Sequence, residues 1–201
     1  MRYPIKEGEQ FMIDWSANIP RIKERARTTR TLHMCCGKNK YAGAVGADNN
    51  PASDADLHCD LNKFPYPFKD NEFETVICIN GIEHLRDIVN VMRELYRICK
   101  AGAVIFILTP HFSDAGSYID PTHLHHFSAR SFDYFIEGTR LFNEYGYYSE
   151  CRFKLLRRHL MLHRFFGFLE TLVNGHIAFY EEIPCYIVRG RSIYFELEAV
   201  K

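Results

Sequence analysis

Apolar residues along this chain fall first into short runs and only later into a helical stripe. Thr31–Cys35, Ala44–Ala47, Ala55–His58 and Glu74–Ile79 are four such runs at close spacing. Each has strand length and stops on small, polar or acidic residues. The last two are separated by a proline-rich loop, Phe64-Pro65-Tyr66-Pro67-Phe68. From Asp87 to about Lys100 the period changes, with Ile88, Val91, Met92, Leu95 and Ile98 on one face of a predicted helix. Lys100-Ala101-Gly102 reads as its stop. Val104–Leu108 is continuously apolar, as a parallel strand buried on both faces requires. Upstream, residues about 8 to 29 read as a helix with a basic end, Ile22-Lys23-Glu24-Arg25-Ala26-Arg27, which Pro20 is expected to split.

The second half has a different rhythm. Ser128 is placed to cap a helix beginning Ala129-Arg130-Ser131-Phe132. Phe153–Leu162 and Arg191–Val200 predict two strands. Between them Phe165, Phe166, Leu169, Leu172, Val173, His176, Ile177 and Tyr180 recur at helical spacing, so 163–182 predicts a helix that covers the sheet, lids a pocket or forms a dimer face. Its basic, aromatic approach (Arg157-Arg158-His159 and Arg164-Phe165-Phe166) would suit a membrane surface, but the acidic Glu181-Glu182 end argues against one.

Strands alternating with helices imply an open, mostly parallel α/β sheet, and such sheets bind ligands beyond the carboxyl ends of their strands. Cys36, Asp48, Asp60, Asn80 and His111 all fall at or just past a predicted strand end. About ten residues separate Gly37 from Asp48, so the first crossover has room for a helical turn at most.

Charge and composition then narrow the classes. The 25 basic residues balance 25 acidic ones, which gives no groove for nucleic acid. No apolar run approaches the roughly 20 residues of a membrane span. The start MRYPIKEGEQFMIDW lacks the apolar core of a signal peptide, so a cytoplasmic protein is expected. Seven cysteines without a CxxC pair read as reduced, packed thiols. His33, Cys35, Cys36, His58 and Cys59 match no zinc ribbon or knuckle, and no metal site is expected. Four of the ten histidines crowd between His111 and His126.

Three strand ends carry candidate chemistry. The turn after Met34, Cys35-Cys36-Gly37, lets backbone N–H groups approach a ligand closely. Asp48, after Gly46-Ala47, can accept hydrogen bonds from a ribose diol or cap a turn. Asp60 can accept from an adenine amino group or cap the strand end. A nicotinamide enzyme fits poorly, because Cys35 to Lys40 holds one glycine where G-x-G-x-x-G is needed.

In order along the chain, six motifs resemble class I S-adenosylmethionine-dependent methyltransferases of the methyltransferase type 11 group. They are Leu32-His33-Met34-Cys35-Cys36-Gly37; Lys40, Gly43 and Gly46-Ala47-Asp48; Asp60-Leu61 with Pro67-Phe68 and Asp70-Asn71-Glu72-Phe73; Ile82-Glu83-His84-Leu85; Arg97-Ile98-Cys99-Lys100-Ala101-Gly102-Ala103; and Pro110-His111-Phe112 with Asp120-Pro121-Thr122-His123 and Phe127-Ser128. The likeness is clear over residues 31–135. It departs at Cys35, where the family has glycine, and at Ala101 and Ala103, where it has proline and glycine.

The resemblance implies a Rossmann-like domain over 1–201, with an N-terminal helical segment at 1–30 and a helical insertion or lid at 163–182. Its sheet would be mostly parallel and seven-stranded, with an antiparallel last strand and helices on both faces. It implies S-adenosylmethionine as cofactor, held by Met34, Cys35, Cys36, Gly37, Asp48, Asn49, Asp60, Leu61, Asn80, Gly81, Ile82 and His84. The acceptor would be a small or sugar-type molecule, methylated at oxygen. His111 or His123 would be the base, and Asp120 would orient the imidazole or hold the acceptor. The alternative is a non-catalytic S-adenosylmethionine-binding protein that serves a partner.

Overall fold

The computed structural model describes residues 15–201. The first described element, α1 (Trp15–Thr28), runs through Pro20 without a break, so the expected split is absent there. The start expected near residue 8 lies outside the described residues. Four strands follow: β1 (Thr31–Met34), β2 (Val45–Asp48), β3 (Leu57–His58) and β4 (Phe73–Ile79). Turns alone join the first three strands, as the tight first crossover predicts. After α2 (Ile88–Ile98) come β5 (Cys99–Pro110), α3 (Gly116–Ile119) and α4 (Arg140–Tyr145). The chain closes with β6 (Phe153–Leu162), α5 (Glu170–Gly175), α6 (Ile177–Glu182) and β7 (Gly190–Ala199).

All seven strands form one sheet in the order β3-β2-β1-β4-β5-β7-β6. β1 to β5 are parallel, and β7 is antiparallel to both β5 and β6. This is the architecture the motifs imply.

Alternation along the central strands builds a core on each face. Val76 and Cys78 of β4, Ile105 and Ile107 of β5, and Ile193, Phe195 and Leu197 of β7 join Val91, Met92, Leu95 and Ile98 of α2. Ile77, Phe106, Leu108 and Tyr194 point the other way and meet Ile22 and Ala26 of α1. Both sets are buried, which explains the unbroken apolar run in β5. On the α1 side polar partners are enclosed too: Arg21 pairs with the buried Glu196, and Arg25 donates to Thr75 Oγ1 at 3.0 Å.

Two boundaries differ from the sequence reading. Asp87 caps α2 through Asn90 N–H (2.9 Å), but the helix ends at Ile98 and Cys99 already pairs with Phe73. The register then jumps to Thr75 opposite Val104, so Lys100-Ala101-Gly102 bulges from the strand, with Gly102 at φ +74°. The helix expected after Ser128 is a 3-10 turn, Ser131–Phe135. There Ser128 makes a local turn instead of a helix cap, accepting from Arg130 N–H at 2.9 Å.

His33, in β1, is buried, and its Nδ1 accepts from Tyr41 N–H at 3.3 Å. Burial pushes its pKa down to about 4, against the smaller pull of Asp48. The unfolded chain takes up this proton near pH 6.5, so the stabilisation is complete above that pH and is lost as pH falls toward 4. The loss amounts to roughly 3 kcal/mol. Denaturant unfolding at pH 7 and 4.5 should show it, and His33→Asn should remove that share of the pH dependence. An unchanged slope in the variant would contradict the assignment.

Candidate active site

The carboxyl ends of β1, β2 and β4 converge on two cavities of about 320 and 380 Å³. Cys35, Asp48, Asn49, Asp60, Leu61, Asn80 and His84 line the first, along with Asn50, Asn62 and Leu85, which were not among the residues expected to hold the cofactor. Cys35, Cys36, Gly37 and Asn80 line the second with His33, Asn39, Tyr41, Ile79 and Leu108. Cys35 and Asn80 belong to both, so the two cavities adjoin. Met34 and Ile82 are fully enclosed in the core and line neither; they anchor the turns. A larger cavity of about 810 Å³ lies elsewhere, where Arg93, Arg97, Tyr148 and Lys201 surround the amino end of β5, away from these strand ends.

Backbone geometry shapes the pocket. Cys35 (φ +50°), Gly37 (φ +51°) and Asn80 (φ +48°) are left-handed, so both strands turn sharply at their ends. Gly81 has no room for a side chain: a Cβ there would lie 2.5 Å from Cys35 Cβ. A cysteine thus occupies the family's glycine position because its neighbour across the turn is a glycine. Its Sγ lies 3.8 Å from Gly81 O.

Asp48 holds this corner together. One carboxylate oxygen accepts from Gly37 N–H (2.9 Å) and the other from Asn50 N–H (2.8 Å). Each oxygen keeps a second lone pair, so the capping role leaves Asp48 able to accept further hydrogen bonds from a ligand. Asp60 caps Asn62 N–H at 3.0 Å through Oδ1.

A polar cluster stands beside the first cavity. After Asn80, a 3-10 turn over Ile82–His84 sends Glu83 inward, 1 % exposed, while His84 stays on the cavity wall. Thr109 Oγ1 donates to Glu83 Oε2 (3.2 Å), and Oε1 has no hydrogen-bond partner among the described residues. Burial raises the Glu83 pKa. The loop after β5 is pinned to this turn, since Leu124 and His125 donate backbone N–H to Glu83 O at 2.9 and 3.2 Å. It brings His123 Nε2 to 4.0 Å from Glu83 Oε1 and 3.9 Å from Asp120 Oδ2. His123 Nδ1 lies 3.0 Å from Ser117 O. A carbonyl only accepts, so Nδ1 carries the proton and Nε2 presents its lone pair. Asp120 therefore flanks Nε2, and the orienting group is the Ser117 carbonyl. Bonds from Thr122 Oγ1 (2.6 Å) and N–H (2.8 Å) hold the Asp120 pKa below its ordinary value.

The remaining histidines brace structure. His111 is fully buried; its Nδ1 meets Ser113 Oγ (2.8 Å) and its Nε2 meets Glu181 Oε1 (3.2 Å). Both ring nitrogens are engaged, which leaves no base facing a pocket. Glu181 also accepts from Ala129 N–H (2.5 Å) and Ser128 Oγ (3.1 Å), so this carboxylate ties the 163–182 insertion to the end of β5. The insertion is not one helix. It breaks at Gly175-His176, where His176 leaves helical geometry at φ −138° and ψ 43°. His125 Nε2 bonds Arg86 O (3.1 Å), and His126 stacks on Tyr118.

An open, mostly parallel sheet with a sharp first turn and acids at the second and third strand ends is the architecture of the α/β methyltransferase fold. Residues 26–107 match the family described as "Methyltransferase domain". Solved structures with this fold include an S-adenosylmethionine-dependent methyltransferase from Archaeoglobus fulgidus, 14 % identical, covering 92 % of each chain with TM-score 0.59. One from Mesorhizobium loti is 12 % identical, covering 92 % of this chain and 97 % of that one, with TM-score 0.56. Among curated relatives, demethylmenaquinone methyltransferase of Listeria monocytogenes is 25 % identical over 114 residues, 45 % of this chain and 48 % of its own. The chain thus spans about half the length of the curated relatives it matches. Residues 26–107 thus match a methyltransferase-domain family, and the sheet has the fold of the S-adenosylmethionine-dependent methyltransferases.

The donors present suit that cofactor: acids and amides at the β2 and β3 ends for the nucleoside, and a left-handed turn at β1 for close approach. Asp48→Ala should weaken S-adenosylhomocysteine binding by about 1.5–3 kcal/mol in calorimetry, the scale of lost hydrogen bonds to a charged group. Undiminished binding would move the ribose elsewhere. Cys35→Gly suits the left-handed backbone and should bind the same ligand as well or better. A loss beyond roughly tenfold would mean that the thiol makes a needed contact.

Proposed function

We propose that this protein transfers the methyl group of S-adenosylmethionine to a hydroxyl oxygen of a small or sugar-type acceptor. The observation that carries this reading is His123, whose Nε2 lone pair stands between two carboxylates beside the cofactor cavity. Asp48 and Asp60 would hold the adenosine of the cofactor, and Cys35 and Asn80, which line both cavities, would border its methionine end. When bound, the cofactor supplies an electrophilic methyl on a sulfonium. The protein aligns donor and acceptor and gives the acceptor's proton a destination. His123 Nε2 takes that proton, and Asp120 and Glu83 stabilise the imidazolium. The Ser117 carbonyl keeps the ring in the required tautomer. His111 serves instead as the strut between β5 and the insertion. All seven cysteines are free thiols, which supports a reducing, cytoplasmic setting.

The acceptor panel should hold hydroxylated sugars, phenols and demethylmenaquinone, the last named for the Listeria relative. Once an acceptor is found, His123→Ala should cut turnover about 10²–10⁴-fold, the usual scale of a lost general base. S-adenosylhomocysteine affinity should stay near that of the parent. Full turnover in the variant would remove the base role. Cofactor binding with no transfer to any acceptor would favour a binding protein that serves a partner.

A further inference from the structure

Glu83, His84 and His123 each offer one ligating atom, and the three atoms lie within 4.8 Å of one another. Their surroundings leave those atoms free. Glu83 Oε1 is the one buried side-chain oxygen or nitrogen among the described residues without a hydrogen-bond partner. A buried carboxylate oxygen in that state carries an unmet desolvation cost, which a cation would remove. His123 donates its Nδ1–H to Ser117 O at 3.0 Å. His84 Nδ1 lies 3.2 Å from Thr122 O and 3.0 Å from Thr122 Oγ1, whose own proton goes to Asp120 Oδ1 at 2.6 Å. Both rings are therefore held through Nδ1–H, with Nε2 lone pairs left over. Imidazoles fixed through the far nitrogen by a carbonyl are oriented as metal-bound histidines are.

We propose that Glu83, His84 and His123 form a binding site for one divalent transition-metal ion, with Zn²⁺ or Co²⁺ as suitable occupants. Two imidazoles and a carboxylate suit such ions, and three protein ligands leave a coordination position open to water or an acceptor oxygen. Ligand atoms around zinc sit about 3.3 Å apart at tetrahedral geometry, so the side chains must close by rotation from the present spacing. His123 Nε2 and Glu83 Oε1, 4.0 Å apart, need only a small turn of the carboxylate, and Oε1 has no hydrogen bond to resist it. Asp120 Oδ2, 3.9 Å from His123 Nε2, adds negative charge at the mouth. The site does not depend on the methyl-transfer reading, although the two meet at one nitrogen. An ion on His123 Nε2 takes the lone pair that the base role uses, so the metal-free protein is the form that carries out base catalysis there.

Chelator-stripped protein titrated with Co²⁺ should develop a visible absorption band that saturates at one ion per chain, and Zn²⁺ should displace it. His84→Ala and His123→Ala should each weaken Co²⁺ binding about tenfold or more. Glu83→Gln, which keeps the buried volume, should do the same, and the exposed His58→Ala should leave it unchanged. His84 is only half-buried, so its variant stays informative even if Glu83→Gln folds poorly. No saturable binding, or unaltered binding in both histidine variants, would overturn the site. Zn²⁺ that binds as expected and speeds turnover would support the site and overturn the base role of His123.

Discussion

Burial of β4 and β5 on both faces decides where this molecule can keep polar chemistry. Ile77, Phe106 and Leu108 face α1, while Val76, Cys78, Ile105 and Ile107 face α2. A polar side chain in the middle of either strand would be desolvated without a partner. Functional groups are therefore pushed to the strand ends, where the backbone turns. At the carboxyl end of β4, Asn80 takes a left-handed conformation and Gly81 leaves space for Cys35. The next turn can then send Glu83 back beneath the end of β5. The same constraint places Asp48 and Asp60 on the rim of the cavity at the ends of β1, β2 and β4.

Asp48 carries more structural weight than a ligand contact alone requires. Turns replace helices in the first two crossovers, so little packing fixes the ends of β1 and β2. Two charge-assisted hydrogen bonds from Gly37 and Asn50 do so instead. Glu83 is the opposite case. One of its oxygens is satisfied by Thr109 and the other by nothing among the described residues, a cost that folding alone does not explain. Glu181 shows how a structural carboxylate looks by contrast: His111, Ser128 and Ala129 all donate to it.

The sheet, its strand ends and most residues lining the two cavities were legible in the sequence because each leaves a local mark. Double-sided burial gives an unbroken apolar run, single-sided burial gives a helical stripe, and a turn needs small or acidic residues. The histidine-bearing loop after β5 was only half legible. Asp120 and His123 come together as expected, but His111 turned inward, because burial depends on Glu181, seventy residues further along the chain. Glu83 was readable as a member of the Ile82-Glu83-His84-Leu85 motif, but its isolation was not, because that depends on Thr109 and the 120–125 loop. The continuous helix expected over 163–182 failed at Gly175-His176, where a locally unfavourable backbone outweighs the apolar spacing.

The central claim is that nucleoside binding and acceptor activation share the carboxyl edge of this sheet. A crystal structure with S-adenosylhomocysteine tests it most directly. The account predicts the ribose between Asp48 and Asn49, the adenine near Asp60, and the sulfur within reach of the Glu83–His84–His123 cluster. Ligand density at the opposite edge, in the cavity around Arg93, Tyr148 and Lys201, or a sulfur turned away from His123, would contradict it.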